Sequence, residues 1–160
     1  MEGAALIAEC YKTGAVNRMK QVLVVEADEV LTEMMIELLS RDGCAVIAVR
    51  TIGEAVSCLA GRDADVDMVM VDADTVPVGD FTSDGLMQWQ TWFDECPRPP
   101  ACVVASVQAD SARVLHALLG VPQHGKRGGS PIWLRKPFRN DDLLSAVRQT
   151  AEERQAGSDA

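Results

Sequence analysis

The residues of this chain with the chemistry to act on a substrate or ion are Glu26, Asp28, Asp72, Ser106 and Lys136, and each lies just beyond a short apolar run. The runs are Val22–Val25, Met68–Val71, Ala101–Ala105 and Ile132–Leu134. Runs this short suit strands buried on both faces of a parallel sheet better than helices. Open α/β sheets bind ligands at the carboxyl ends of such strands. Three carboxylates gathered there repel one another and retain a proton unless a cation compensates. Hard oxygen donors at that density suit Mg²⁺, which takes one or two carboxylates together with phosphate oxygens and water. Lys136 and Ser106 then offer charge and a hydrogen bond to phosphoryl oxygens, and an ionised Asp72 is a nucleophile for phosphorus. Taken alone, Asp72 would simply open a turn. Its company argues otherwise.

The pattern between these residues predicts the scaffold that positions them. Residues 29–41 place Leu31, Met34, Met35 and Leu38 on one helical face, with Gly43 where a C-cap belongs. Cys44–Val49 reads as a second strand, and Thr51-x-x-Glu54 as a capping box opening a helix to Ala60. After the Asp72 strand come a loop over 73–83 and a helix from about Asp84, with Leu86, Trp89, Trp92 and Phe93 inward and Cys96-Pro97 ending it. Asp110 caps a helix with Val114, Leu115, Leu118 and Leu119 on its apolar face, and a basic segment, Gly120–Pro131, leads to the fifth strand. Asn140 or Asp141 caps a last helix with Leu143, Leu144 and Val147 inward. Strict β-α alternation predicts a flavodoxin-like, doubly wound α/β fold: a five-stranded parallel sheet of order 2-1-3-4-5, helices on both faces, and a switch point between strands one and three. Residues 1–18 read as an N-terminal extension, 19–154 as the domain and 155–160 as a polar tail, with fraying expected from Ala151.

Composition narrows the function classes. A length of 160 residues, 48% hydrophobic and 24% charged, is that of one soluble domain with a proper core. A net charge of −9 argues against nucleic-acid binding through a basic surface. No apolar run reaches the roughly 20 residues that span a membrane, and the start lacks a basic signal-peptide region. A cytoplasmic protein is expected. The five cysteines, Cys10, Cys44, Cys58, Cys96 and Cys102, form no C-x-x-C, and His116 and His124 sit beside no ligand cluster, so zinc is not expected.

Taken together, QVLVVEAD (21–28), DMVMVD (67–72), Asp84-Gly85, VVAS (103–106) and WLRKPF (133–138) resemble the receiver domain of two-component response regulators, over about residues 19–154. The Lys-Pro-Phe after an apolar strand is the most specific of these pieces. The resemblance implies that Asp72 accepts a phosphoryl group from a phosphohistidine on a histidine kinase or phosphotransfer protein. It implies Mg²⁺ held by Glu26, Asp28 and Asp72 with the backbone carbonyl of Asp74. It also implies Ser106 as the switch hydroxyl, Lys136 as the lysine before a cis proline, and Trp133 as the aromatic switch position. The partner-binding face it implies is built from the helix opened by Asp110, the fifth strand and the last helix.

Three departures stand out. Ala27 replaces the second acid of the pair, usually the direct metal ligand. Val107 stands where the family favours Ala or Gly, leaving room for the phosphoryl group. The loop after Asp72 is longer than usual. Mg²⁺ binding is therefore expected to be weak, and a pseudo-receiver, binding a partner without phosphorylation, is an open alternative. Two rival motifs are present. Gly120-x4-Gly125-Lys126 spells most of a phosphate-binding loop, but Arg127 replaces the required hydroxyl and a helix precedes it. Asp72-x-Asp74-x-Val76 resembles the first motif of haloacid-dehalogenase-type phosphatases, although that motif normally follows the first strand. The expected chain is a stand-alone or excised receiver domain and not an enzyme.

Overall fold

The computed structural model describes residues 20–61, 66–75, 84–97, 99–107 and 132–156, with backbone alone at 84–86 and 151–156. Its elements in chain order are β1 (Lys20–Val25), α1 (Glu29–Arg41), β2 (Cys44–Val49), α2 (Ile52–Ala60), β3 (Met68–Asp72), α3 (Asp84–Glu95), β4 (Ala101–Ser106), β5 (Ile132–Arg135) and α4 (Asn140–Ala156). The strands form one sheet of order β2-β1-β3-β4-β5. Every pairing is parallel, with Val25 opposite Val71 and Asp72 opposite Ala105. This is the flavodoxin-like sheet expected from the alternating pattern. The helix expected at Asp110, residues 1–18 and the basic segment 120–131 lie outside the described residues.

The two-residue period of the strands sorts their apolar side chains into two cores. Leu23, Val25, Val69, Val71 and Val104 meet Ile52, Val56 and Leu59 of α2 and Trp89 and Phe93 of α3. Val22, Val24, Met68, Met70, Val103 and Ala105 meet Met35 and Leu39 of α1 and Leu143 and Val147 of α4. With both faces covered, β3 buries every side chain and β1 and β4 bury their last four, which is why they read as apolar runs.

Local signals set the helix ends. Asp28 caps α1 by accepting the Leu31 N–H at 3.1 Å, and Gly43, at φ 82°, makes the turn into β2. The Thr51 hydroxyl accepts the Glu54 N–H at 3.1 Å. Glu54 reaches back one residue beyond the expected box, to the Arg50 N–H at 2.9 Å.

Three expectations are corrected. The buried stripe of α1 is Met35 and Leu39 flanked by Leu31 and Leu38, whereas Met34 is 58% exposed, because 31, 35, 38 and 39 share a helical face that 34 leaves. The last helix is capped at Arg139, whose carbonyl accepts the Leu143 N–H while its own N–H bonds the Asp142 carboxylate at 2.9 Å. That helix also runs on to Ala156 instead of fraying from Ala151, through a stretch of good helix formers, Ala151-Glu-Glu-Arg-Gln-Ala156.

Candidate functional site

The carboxyl ends of β1, β3, β4 and β5 converge because the sheet's hydrogen bonding continues past the strands. The Glu26 N–H bonds the Val49 carbonyl at 3.0 Å, Ala73 N–H the Ala105 carbonyl at 2.8 Å, and Lys136 N–H the Ser106 carbonyl at 3.0 Å. Glu26, Asp72 and Ser106 are each at most 1% exposed, a burial that charged and hydroxyl groups tolerate only when satisfied. The Lys136–Pro137 bond is cis.

Asp72 is held at both oxygens. Its Oδ1 accepts the backbone N–H groups of Asp74 at 2.9 Å and Thr75 at 3.3 Å, while Lys136 Nζ forms a close ion pair with Oδ2. Burial pushes the Asp72 carboxyl up, but the hydrogen bonds from Glu26, Lys136 and the Asp74 N–H, with the Lys136 charge, outweigh it and hold the group below its ordinary range. Lys136 behaves conversely: burial would lower it, yet Asp72, Asp74 and Glu26 raise it. The result is an ionised carboxylate against a charged ammonium.

Glu26 is the neighbour whose carboxyl is raised. Burial first, then its hydrogen bond to Asp72, raises its pKa to about 7. Its Oε1 accepts the Asp28 N–H at 3.0 Å, but its buried Oε2 has no donor. The orphan oxygen and the raised pKa express one fact: with both groups ionised two acceptors face each other, and a shared proton satisfies both.

Asp74 adds a contact that its type alone did not announce. Its Oδ1 accepts the Ser106 hydroxyl at 2.9 Å, its Oδ2 accepts the Val107 N–H at 2.9 Å, and Lys136 Nζ lies 3.6 Å from Oδ2. Thr75, not singled out in the sequence, accepts the Ala27 N–H through its hydroxyl at 3.4 Å and acts to lower the Glu26 carboxyl. The available signal was only their place in the first turn after Asp72. Among the remaining candidates, Asp28 spends Oδ1 on the α1 cap. Val107 is 57% exposed and Trp133, on β5, 38%.

Magnesium was the ion implied by resemblance. Among the described residues, no group of three His, Cys, Asp or Glu side chains is disposed to hold a metal. The buried Glu26 Oε2 beside Asp72 does fit a reduced site of two carboxylates, within what Mg²⁺ uses when water and phosphate oxygens complete its shell.

No protein-family profile matches the chain, and no curated protein matches it significantly. Solved structures do. The signal receiver domain of an HD domain-containing protein from Pseudomonas fluorescens is 21% identical, with a TM-score of 0.65, covering 87% of this chain and 99% of that one. A response regulator receiver domain protein from Clostridium thermocellum is 18% identical, TM-score 0.64, covering 86% and 98%. The chemotaxis protein CheY4 of Vibrio cholerae is 18% identical, TM-score 0.62, covering 83% and 99%. The fold of this chain is therefore the fold of response-regulator receiver domains.

Proposed function

We propose that the chain is a phosphoacceptor signalling module in which Asp72 takes a phosphoryl group from a phosphohistidine of a histidine kinase or phosphotransfer protein. The observation that carries this reading is the state of Asp72: buried, held ionised, and fixed with Oδ2 against Lys136. Asp72 Oδ2 attacks phosphorus, the new P–O bond forms as the P–N bond breaks, and the imidazole nitrogen keeps the electron pair. Lys136 then neutralises the charge on the phosphoryl oxygens. Mg²⁺, held weakly by Glu26 and Asp72, would supply further charge compensation. The fold likeness supports signalling partners in general, and the exposed Trp133 offers a contact on the β5–α4 side.

A second reading, a pseudo-receiver that binds its partner unphosphorylated, is favoured by Ala27 and by the engagement of Asp74 with Ser106. The phosphatase reading has less support, since the Asp74 carboxylate is tied to Ser106 and Val107.

Intact mass and Phos-tag mobility after acetyl phosphate with Mg²⁺ test the proposal. Wild type should gain one phosphoryl group and Asp72→Asn none. In Lys136→Ala the labelling rate should fall on the order of 100-fold, the cost of losing one preorganised charge. Unlabelled wild type, even at high Mg²⁺, would leave the pseudo-receiver reading standing.

A further inference from the structure

A receiver site needs donors for the phosphoryl oxygens, and those donors are already satisfied here. The Ser106 hydroxyl, the Val107 N–H and the Lys136 ammonium come from the ends of β4 and β5 and converge on one group. That group belongs to the protein. It is the Asp74 carboxylate, whose two oxygens take the hydroxyl and the amide at 2.9 Å each. Lys136 bridges it to Asp72, contacting Oδ2 of both residues, which sets the Asp74 carboxylate beside the oxygen that would bear phosphorus. A planar anion accepting a hydroxyl and an amide beside an ammonium offers what a phosphoryl group offers: negative charge spread over oxygens that accept charge-assisted bonds.

We infer that the Asp74 carboxylate is an internal stand-in for the phosphoryl group. It fills the oxyanion cradle of Ser106, Val107 and Lys136, ties down the end of β4, and must swing out before Asp72 can be phosphorylated. This inference rests on the reading of that cradle as a phosphoryl site. Geometry permits the release, because the Asp74 side chain is 26% exposed, beside an Asp72 that is 1% exposed. Charge demands it, since a phosphoryl group entering beside an anchored carboxylate meets like charge at short range.

The test uses the full chain in wild-type, Asp74→Ala and Asp74→Asn forms, the last keeping the shape and an acceptor oxygen while removing the charge. In ¹H–¹⁵N spectra, the wild-type Val107 amide proton should lie downfield and ignore added inorganic phosphate. In Asp74→Ala it should move upfield and return on phosphate titration, with Asp74→Asn intermediate. Acetyl-phosphate labelling of Asp72 should be at least about 10-fold faster in Asp74→Ala, since the competing charge-assisted bonds are gone. A phosphate-responsive Asp74→Ala that stays unlabelled would uphold the stand-in and overturn the phosphoacceptor reading. A wild type that binds phosphate as Asp74→Ala does, a Val107 amide indifferent to both substitutions, or slower labelling in both variants would overturn the stand-in itself. If Asp74→Ala does not fold, Asp74→Asn carries the same comparisons.

Discussion

The two halves of the strand-end cleft satisfy their charged groups in opposite ways. On the β4–β5 side, hydroxyl, amide and ammonium groups are all in place for an anion, and all are engaged. On the β1 side, where a cation would sit, Ala27 offers no ligand, Asp28 has turned to the helix cap, and burial beside Asp72 raises the Glu26 carboxyl pKa to about 7. Three donors facing one carboxylate satisfy each other within the chain. Two carboxylates facing each other do not, and their mutual repulsion favours a proton on one of them. Under the function proposed above, a filled anion half and a cation half short of ligands would each slow phosphorylation of Asp72.

Ala27→Asp restores the depleted half without touching the other. It should tighten Mg²⁺ about 10–100-fold by calorimetry, the range associated with a recovered metal partner. Equal affinity in wild type and Ala27→Asp would show that the cation half is not depleted. Glu26→Gln probes the shared proton. The folded chain holds a proton on Glu26 up to about pH 7, which the unfolded chain releases near pH 4.5, so stability falls as pH rises through that window. Glu26→Gln should therefore exceed wild type by about 2 kcal/mol in urea unfolding at pH 8 and lose that advantage by pH 4. An advantage independent of pH would place the proton elsewhere. Asp28→Ala should have the smallest effect: about 1 kcal/mol of stability from the lost α1 cap, with Mg²⁺ affinity unchanged. A matching loss of Mg²⁺ affinity would return Asp28 to the cation half.

The fold was legible because its signals are local. Val22–Val25 and Met68–Val71 read as buried strands from their unbroken apolarity, and Asp28, Gly43 and Thr51 punctuate the helices through their own backbone chemistry. The convergence of Glu26, Asp72, Ser106 and Lys136 followed from strand order alone, since each lies at a carboxyl end. Side-chain direction beyond the strands was not legible. The second residue after β3 obeys no periodicity, so nothing in Asp72-x-Asp74 says that Asp74 turns towards Ser106. The Met34 expectation failed for a related reason: several helical stripes fit the same apolar residues, and the choice among them is made by packing against β1 and β2.

The three tryptophans grade from sealed to solvent-touched, with Trp92 half-buried against Phe93 between the extremes. Trp89 is fully buried, stacked on Phe93 at 5.1 Å between ring centroids, with its indole N–H lacking a hydrogen-bond partner. Trp133 is 38% exposed on β5, three residues before Lys136. An indole in dry apolar surroundings emits to the blue of one that water can relax, and iodide in solution collides only with the latter. The chain thus carries a sealed reference chromophore in its core and a solvent-touched one on the strand that delivers Lys136.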